Sequence, residues 1–237
     1  LSPKLLIVST SKIYGSAYLG YLLEEVVQFF AGVNELLFIP YARPGGISYE
    51  AYTQMPKEVL APLGIAVKGI HEFKNPSQAL AKAQGVFTGG GNTFLLLKTL
   101  YEQNLLDPLR AAIQNGVPYM GSSAGSNIAG ISIGTSNDMP IVYPPSFQAL
   151  GVLPFNINPH YLDPLPNNKH QGETRETRIH EFHQQNSLPV LGLREGSWLQ
   201  VANAKLNLKG EQTARLFEAN KRPREIAPGD CSFLLKV

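Results

Sequence analysis

The sequence is short of cysteine, of charge and of long apolar runs, and each shortage excludes something. A single cysteine, Cys231, rules out an intrachain disulfide and a cysteine metal cage. It lies in the apolar run 231–237, where a buried, inert thiol is the expectation. No stretch approaches the ~18 apolar residues of a spanning helix. The N-terminus lacks a basic region followed by a long apolar core, so no membrane partner is expected and a cytoplasmic location is. Charged residues make up only 16%, below the usual ~25%. The formal net charge is a mild +2, and the one basic cluster, Lys221, Arg222 and Arg224, is broken by Pro223. It reads as a solvated loop rather than a nucleic-acid stripe.

What is present points to an ordinary globular protein. Hydrophobic residues reach 43%, and 22 glycines with 18 prolines suggest many shaped loops. The 237 residues fit one α/β domain, 1–237, which at this length buries roughly 70–75% of its unfolded surface without a staple.

The first two-thirds alternates short apolar runs with helical periodicity. Strands are expected at 5–9, 36–40, 65–70, 85–88 and 117–120, and helices at 17–30, 48–60, 76–83, 93–100 and 105–115. Continuous apolar strands separated by helices predict a mainly parallel central sheet with helices on both faces. Ligands bind such sheets outside the carboxyl ends of the strands, which directs attention to the loops after Thr88 and Met120. The proline-rich segment 132–168 is too irregular for a plain connection. A helix is expected over 173–185, followed by short strands at 190–193, 198–201, 205–208, 214–218 and 232–236 that extend the sheet or form edge hairpins.

Gly121-Ser122-Ser123-Ala124-Gly125 follows one of these strands and fits the G-x-S-x-G nucleophile elbow. Such a turn exposes the serine hydroxyl, needs small neighbours two positions away, and sets a helix N-terminus beneath the nucleophile. Ser123 holds the middle position; Ser122 and Ser126 are its rivals. A serine hydroxyl requires a base. His160 closes the Asn158-Pro159 run at the edge of the irregular segment and is the first choice, His170 the second. His180 and His183 sit among charged neighbours on a helix, at a spacing that does not fit the H-E-x-x-H zinc motif. A carboxylate must orient the imidazole, and Glu195 at a strand end or Asp138 can do so. Gly89-Gly90-Gly91-Asn92-Thr93 lacks the ending of a phosphate loop and suits close backbone approach instead. One of its N–H groups would pair with that of Ala124 as an oxyanion hole.

These motifs, together with Asn137-Asp138-Met139-Pro140-Ile141-Val142, Gly172-Glu173-Thr174-Arg175-Glu176 and Glu195-Gly196-Ser197-Trp198, occur in an order that resembles the peptidase E family. This is the aspartyl dipeptidase family of serine peptidases, related to the class I glutamine amidotransferases and to cyanophycinase. The resemblance implies cleavage of Asp-Xaa dipeptides without metal or organic cofactor. It assigns Ser123 as nucleophile, His160 as base, Glu195 as orienting carboxylate, and Gly91 with Ala124 as oxyanion donors. A small peptide is the implied partner, with the oligomeric state, monomer or homodimer, left open. Isoaspartyl or cyanophycin-like specificity, and a non-catalytic binding relative, are the alternatives. A glutamine amidotransferase is disfavoured because its elbow carries cysteine where this chain has Ser123. The substrate's β-carboxylate calls for a guanidinium, Arg175 first and Arg178 second. Asn92 and Thr93 are secondary contacts and Asp138 an acceptor for the substrate amine. The loop 163–170 is a candidate lid.

Overall fold

A computed structural model describes residues 2–164 and 172–236. Leu5–Val8 (β1), Glu35–Ile39 (β2), Ala66–Gly69 (β3), Val86–Thr88 (β4) and Tyr119–Ser122 (β5) run parallel in one sheet. β1 and β5, the two central strands, are buried at every position. This is why they read as unbroken apolar runs rather than alternating ones. Between them come Leu23–Phe29 (α1), Tyr49–Leu60 (α2), Pro76–Ala81 (α3), Thr93–Glu102 (α4) and Leu106–Gln114 (α5). Ser48, Asn75 and Asn92 start α2, α3 and α4 by accepting a backbone N–H three residues on. Apolar side chains cover the sheet on both faces. Leu5, Ile7, Leu96, Leu97 and Ile113 pack on one side. Leu6, Val8, Val26, Phe38 and Phe87 pack on the other.

After β5 come the short helix Ala124–Asn127 (α6), the strand Asn156–Pro159 (β6), Arg175–Phe182 (α7) and Val190–Leu193 (β7). Ser197–Ala202 (β8), Lys205–Gly210 (β9), Ala214–Phe217 (β10), Arg224–Ile226 (β11) and Gly229–Asp230 (β12) follow. The late strands divide between two sheets. β8, β9 and β12 extend the main sheet to the order β12-β9-β8-β1-β5-β4-β2-β3, while β11-β10-β7-β6 forms a second, four-stranded sheet. The expectation that all late strands lie on one sheet is corrected here. Period-2 patterning marks a strand, but does not name the sheet it joins.

Two further expectations are corrected. Residues 232–236 form a 3-10 helix, anchored where the Ser232 N–H bonds the Asp230 carboxylate at 2.8 Å. The helix expected from residue 17 begins at Leu23, because Leu19 adopts a left-handed backbone (φ 58°) that no helix continues. Cys231 is buried, and burial pushes its thiol up to about 11, as an inert thiol requires.

Candidate active site

Three segments meet where the two sheets join. Ser123 follows β5 in the main sheet, His160 follows β6 in the second sheet, and Glu195 lies in the turn from β7 to β8. β6 and β7 pair in parallel with Pro159 opposite Leu193, so the residues just beyond, His160 and Glu195, emerge side by side. Ser9, at the end of β1, ties the sheets together: its hydroxyl donates to Leu193 O at 2.8 Å and accepts the His160 N–H at 2.9 Å. The sequence reading missed this serine, although the rule that sites gather at strand carboxyl ends points to it.

Local sterics place Ser123. Its backbone, φ 52° and ψ −109°, is strained for a residue with a side chain. Gly121 and Gly125 make the turn possible: a Cβ on Gly125 would stand 2.2 Å from Thr88 O, and one on Gly121 would stand 2.4 Å from Gly125 O. The Ser123 N–H bonds Val8 O at 3.1 Å, while its hydroxyl turns outward. Ser126 Oγ is held inward by Val8 O and Gly121 O, and Ser122 is buried. Of the three serines, Ser123 is the one that meets an imidazole.

His160 Nε2 lies 2.8 Å from Ser123 Oγ, and Nδ1 lies 2.6 Å from Glu195 Oε1. A carboxylate only accepts, so Nδ1 carries the proton and Nε2 is free to accept the serine hydroxyl. Glu195, not Asp138, therefore faces the imidazole. The other histidines are engaged elsewhere. His71 faces Glu50, His180 faces Glu176, and His183 bonds Leu188 O. His170 and most of the candidate lid lie outside the described residues. A reciprocal amide pair, Asn137 with Asn158, ties the irregular segment to β6, and Asn137 also donates to Pro159 O beside His160.

The triple-glycine loop lies against Ser123. A Cβ on Gly90 would come within 3.0 Å of Ser123 Cβ, and one on Gly91 (φ +144°) would stand 2.2 Å from Ala42 O. The Tyr52 hydroxyl donates to Gly90 O, and the Asn92 N–H to Ala42 O, fixing the loop. Ala124 opens α6, so its N–H has no partner within the helix. Asn92 uses its side-chain oxygen to cap α4 and donates to Met139 O. Asp138 accepts the Thr93 N–H at 2.7 Å.

Arg175 begins α7, half-buried and without a hydrogen bond or ion pair to another described residue. Burial, then the charge of Arg178, holds its guanidinium below the ordinary value, against the opposing pull of Asp138 and Glu195. Arg178 instead faces Glu173 at 3.5 Å and is exposed. Glu195 is flanked by Arg194, which bonds both oxygens of Asp163 and of Glu225. Those partners raise the guanidinium further. Among the described residues, no cluster of three or more His, Cys, Asp or Glu side chains is arranged to hold a metal ion.

The sequence and the fold have counterparts. The model of peptidase family S51 matches residues 5–209. The chain belongs to peptidase family S51. It is 48% identical over 236 residues to a Drosophila melanogaster protein named "probable alpha-aspartyl dipeptidase", covering 98% of this chain and 97% of that one. It is 50% identical over 234 residues to peptidase E of Streptomyces coelicolor, covering 98% and 95%. The crystal structure of a peptidase from an acI-B1 actinobacterium superposes with a TM-score of 0.68 at 16% identity, covering 95% of this chain and 94% of that one, which speaks to the fold alone. The S51 chain is thus a serine-type dipeptidase acting on small peptides, on the α/β scaffold its strand pattern implies. No described helix is long and apolar enough to cross a membrane.

Proposed function

We propose that the chain hydrolyses dipeptides with an N-terminal aspartate, Asp-Xaa, through an acyl-enzyme on Ser123. The observation that carries this reading is the hydrogen-bonded chain from Ser123 through His160 to Glu195, whose charge acts on Arg175, a guanidinium without an ion-pair partner among the described residues. The names of the S51 relatives, alpha-aspartyl dipeptidase and peptidase E, support it.

The chemistry follows from the donors and acceptors. Ser123 Oγ attacks the peptide carbonyl while its proton passes to His160 Nε2. Glu195 holds the ring and stabilises the imidazolium that forms. The N–H groups of Gly91 and Ala124 receive the developing oxyanion. His160 then gives its proton to the departing amine as the C–N bond breaks. Water gives a proton to the same imidazole as it attacks the ester, and the imidazolium returns it to Ser123 Oγ as the acyl C–O bond breaks and aspartate leaves. Arg175 grips the β-carboxylate bidentately, helped by the remaining amide hydrogen of Asn92 and the Thr93 hydroxyl. Asp138 accepts from the substrate ammonium.

A panel of Asp-Leu, Glu-Leu, Ala-Leu and β-linked Asp-Leu tests the specificity. The α-linked Asp-Leu is cleaved, and Arg175→Gln loses about 10- to 100-fold in kcat/KM, in the range of a lost charged hydrogen bond. A preference for the β-linked isomer would move the assignment to an isoaspartyl or cyanophycin-like peptidase. Equal turnover of Ala-Leu would refute acidic specificity.

A further inference from the structure

On the sheet face that carries Tyr52, opposite the one on which α4 packs, stands a cation that the chemistry above leaves idle. Arg43, in the loop after β2, is half-buried and stacks over the ring of Tyr52, its guanidinium carbon 4.4 Å from the centroid. Among the described residues it makes no ion pair, and its Nε is buried without a hydrogen-bond partner. The hydroxyl of Tyr18 is likewise buried and unpartnered. Tyr52 and Arg43 both act electrostatically on the Tyr18 hydroxyl, and Arg43 acts on Tyr52 by charge and by a side-chain hydrogen bond, so the three form one cluster. Tyr52 in turn donates to Gly90 O at 3.0 Å, and Gly90 packs on the nucleophile. The cluster therefore sits one aromatic ring away from the oxyanion loop.

Buried donors without acceptors are costly, and the planar fork of a guanidinium matches a carboxylate. We propose that Arg43 and Tyr18 form a subsite for the α-carboxylate of the leaving residue, the C-terminus of the dipeptide. The proposal rests on the Asp-Xaa reading above and extends it to the other half of the substrate. Charge complementarity supports the assignment. An Asp-Xaa dipeptide carries an ammonium, a β-carboxylate and an α-carboxylate. Around Ser123 stand three side chains of opposite sign without an ion-pair partner among the described residues: Asp138, Arg175 and Arg43. Asp138 accepts the first N–H of α4 and acts on Arg175, while Arg43 lies over Tyr52 on the other sheet face, so the acyl half faces the first two and the leaving half faces Arg43. A carboxylate clamp at this point also explains preference for dipeptides over longer chains, which place a neutral amide there.

The test compares Asp-Leu with Asp-Leu-amide on wild type, Arg43→Gln, Arg43→Lys and Tyr18→Phe. Wild type favours the free acid by about 10- to 100-fold in kcat/KM, the range of one charge-assisted hydrogen bond. In Arg43→Gln the acid-to-amide ratio falls toward one, through a raised KM for the acid. Arg43→Lys recovers part of the ratio, and Tyr18→Phe lowers it several-fold. A wild type that takes the amide as readily as the acid overturns the proposal. An Arg43→Gln enzyme that loses both substrates equally does so too, since a structural role would act that way. Asp-p-nitroanilide, which has no leaving-group carboxylate, separates the two readings. If wild type cleaves it but ignores the carboxylate of Asp-Leu, the subsite alone is wrong. If neither it nor either peptide is touched, the Asp-Xaa reading falls as well.

Discussion

Ser123 and His160 both adopt positive φ, 52° and 54°. Each costs about 1–3 kcal/mol that the surrounding fold must outweigh. The strain turns the hydroxyl and the imidazole toward each other. Gly125 shows how little slack remains, because any Cβ there would collide with the Thr88 carbonyl. Gly125→Ala is expected to destabilise the fold by about 1–3 kcal/mol or more, read as a lowered denaturant midpoint. A midpoint equal to wild type would show that the elbow has room. Ser9 acts one step further out, holding the His160 backbone. Ser9→Ala should lower kcat while leaving KM for Asp-Leu near wild type, because the imidazole drifts but the substrate contacts persist. A change confined to KM would place Ser9 in substrate binding instead.

Among the elements, the second sheet does most to aim His160 and Glu195, and its outer edge is fastened by charge. Burial would push the Glu225 carboxyl up, but hydrogen bonds from Arg194, Thr213 and Arg215 outweigh it and bring the carboxyl down to about 2. A carboxyl held below its unfolded value stabilises the fold above that value, and the benefit disappears as pH falls toward about 2. Thermal stability of wild type should therefore fall between about pH 4.5 and 2 more steeply than that of Glu225→Gln. Parallel curves would mean that the Arg194 pairing contributes nothing measurable, as many exposed ion pairs do. Arg194 immediately precedes Glu195, so the same variant tests whether this fastening steadies the carboxylate that faces His160.

At the scale of the whole molecule, the parallel core was legible because its strands are buried on both faces and its helices carry their own caps at Ser48, Asn75 and Asn92. The elbow was legible because Gly121 and Gly125 are steric requirements at fixed spacing. The second sheet was not, since the pattern of a short strand does not say which sheet it joins and long-range pairing alone sorts β7, β8 and β10. Ser9 and Arg43 were also hidden. A lone serine and a lone arginine have no local pattern, and their significance arises only when β1, β2 and β6 converge. The most direct measurement of the central claim is the kinetics of Ser123→Ala, His160→Ala and the double variant on Asp-Leu. If the three side chains work as one unit, each single variant loses about as much kcat as the double, roughly 10⁶-fold, while the fold persists. Losses that multiply in the double variant, or substantial turnover by Ser123→Ala, would contradict the account.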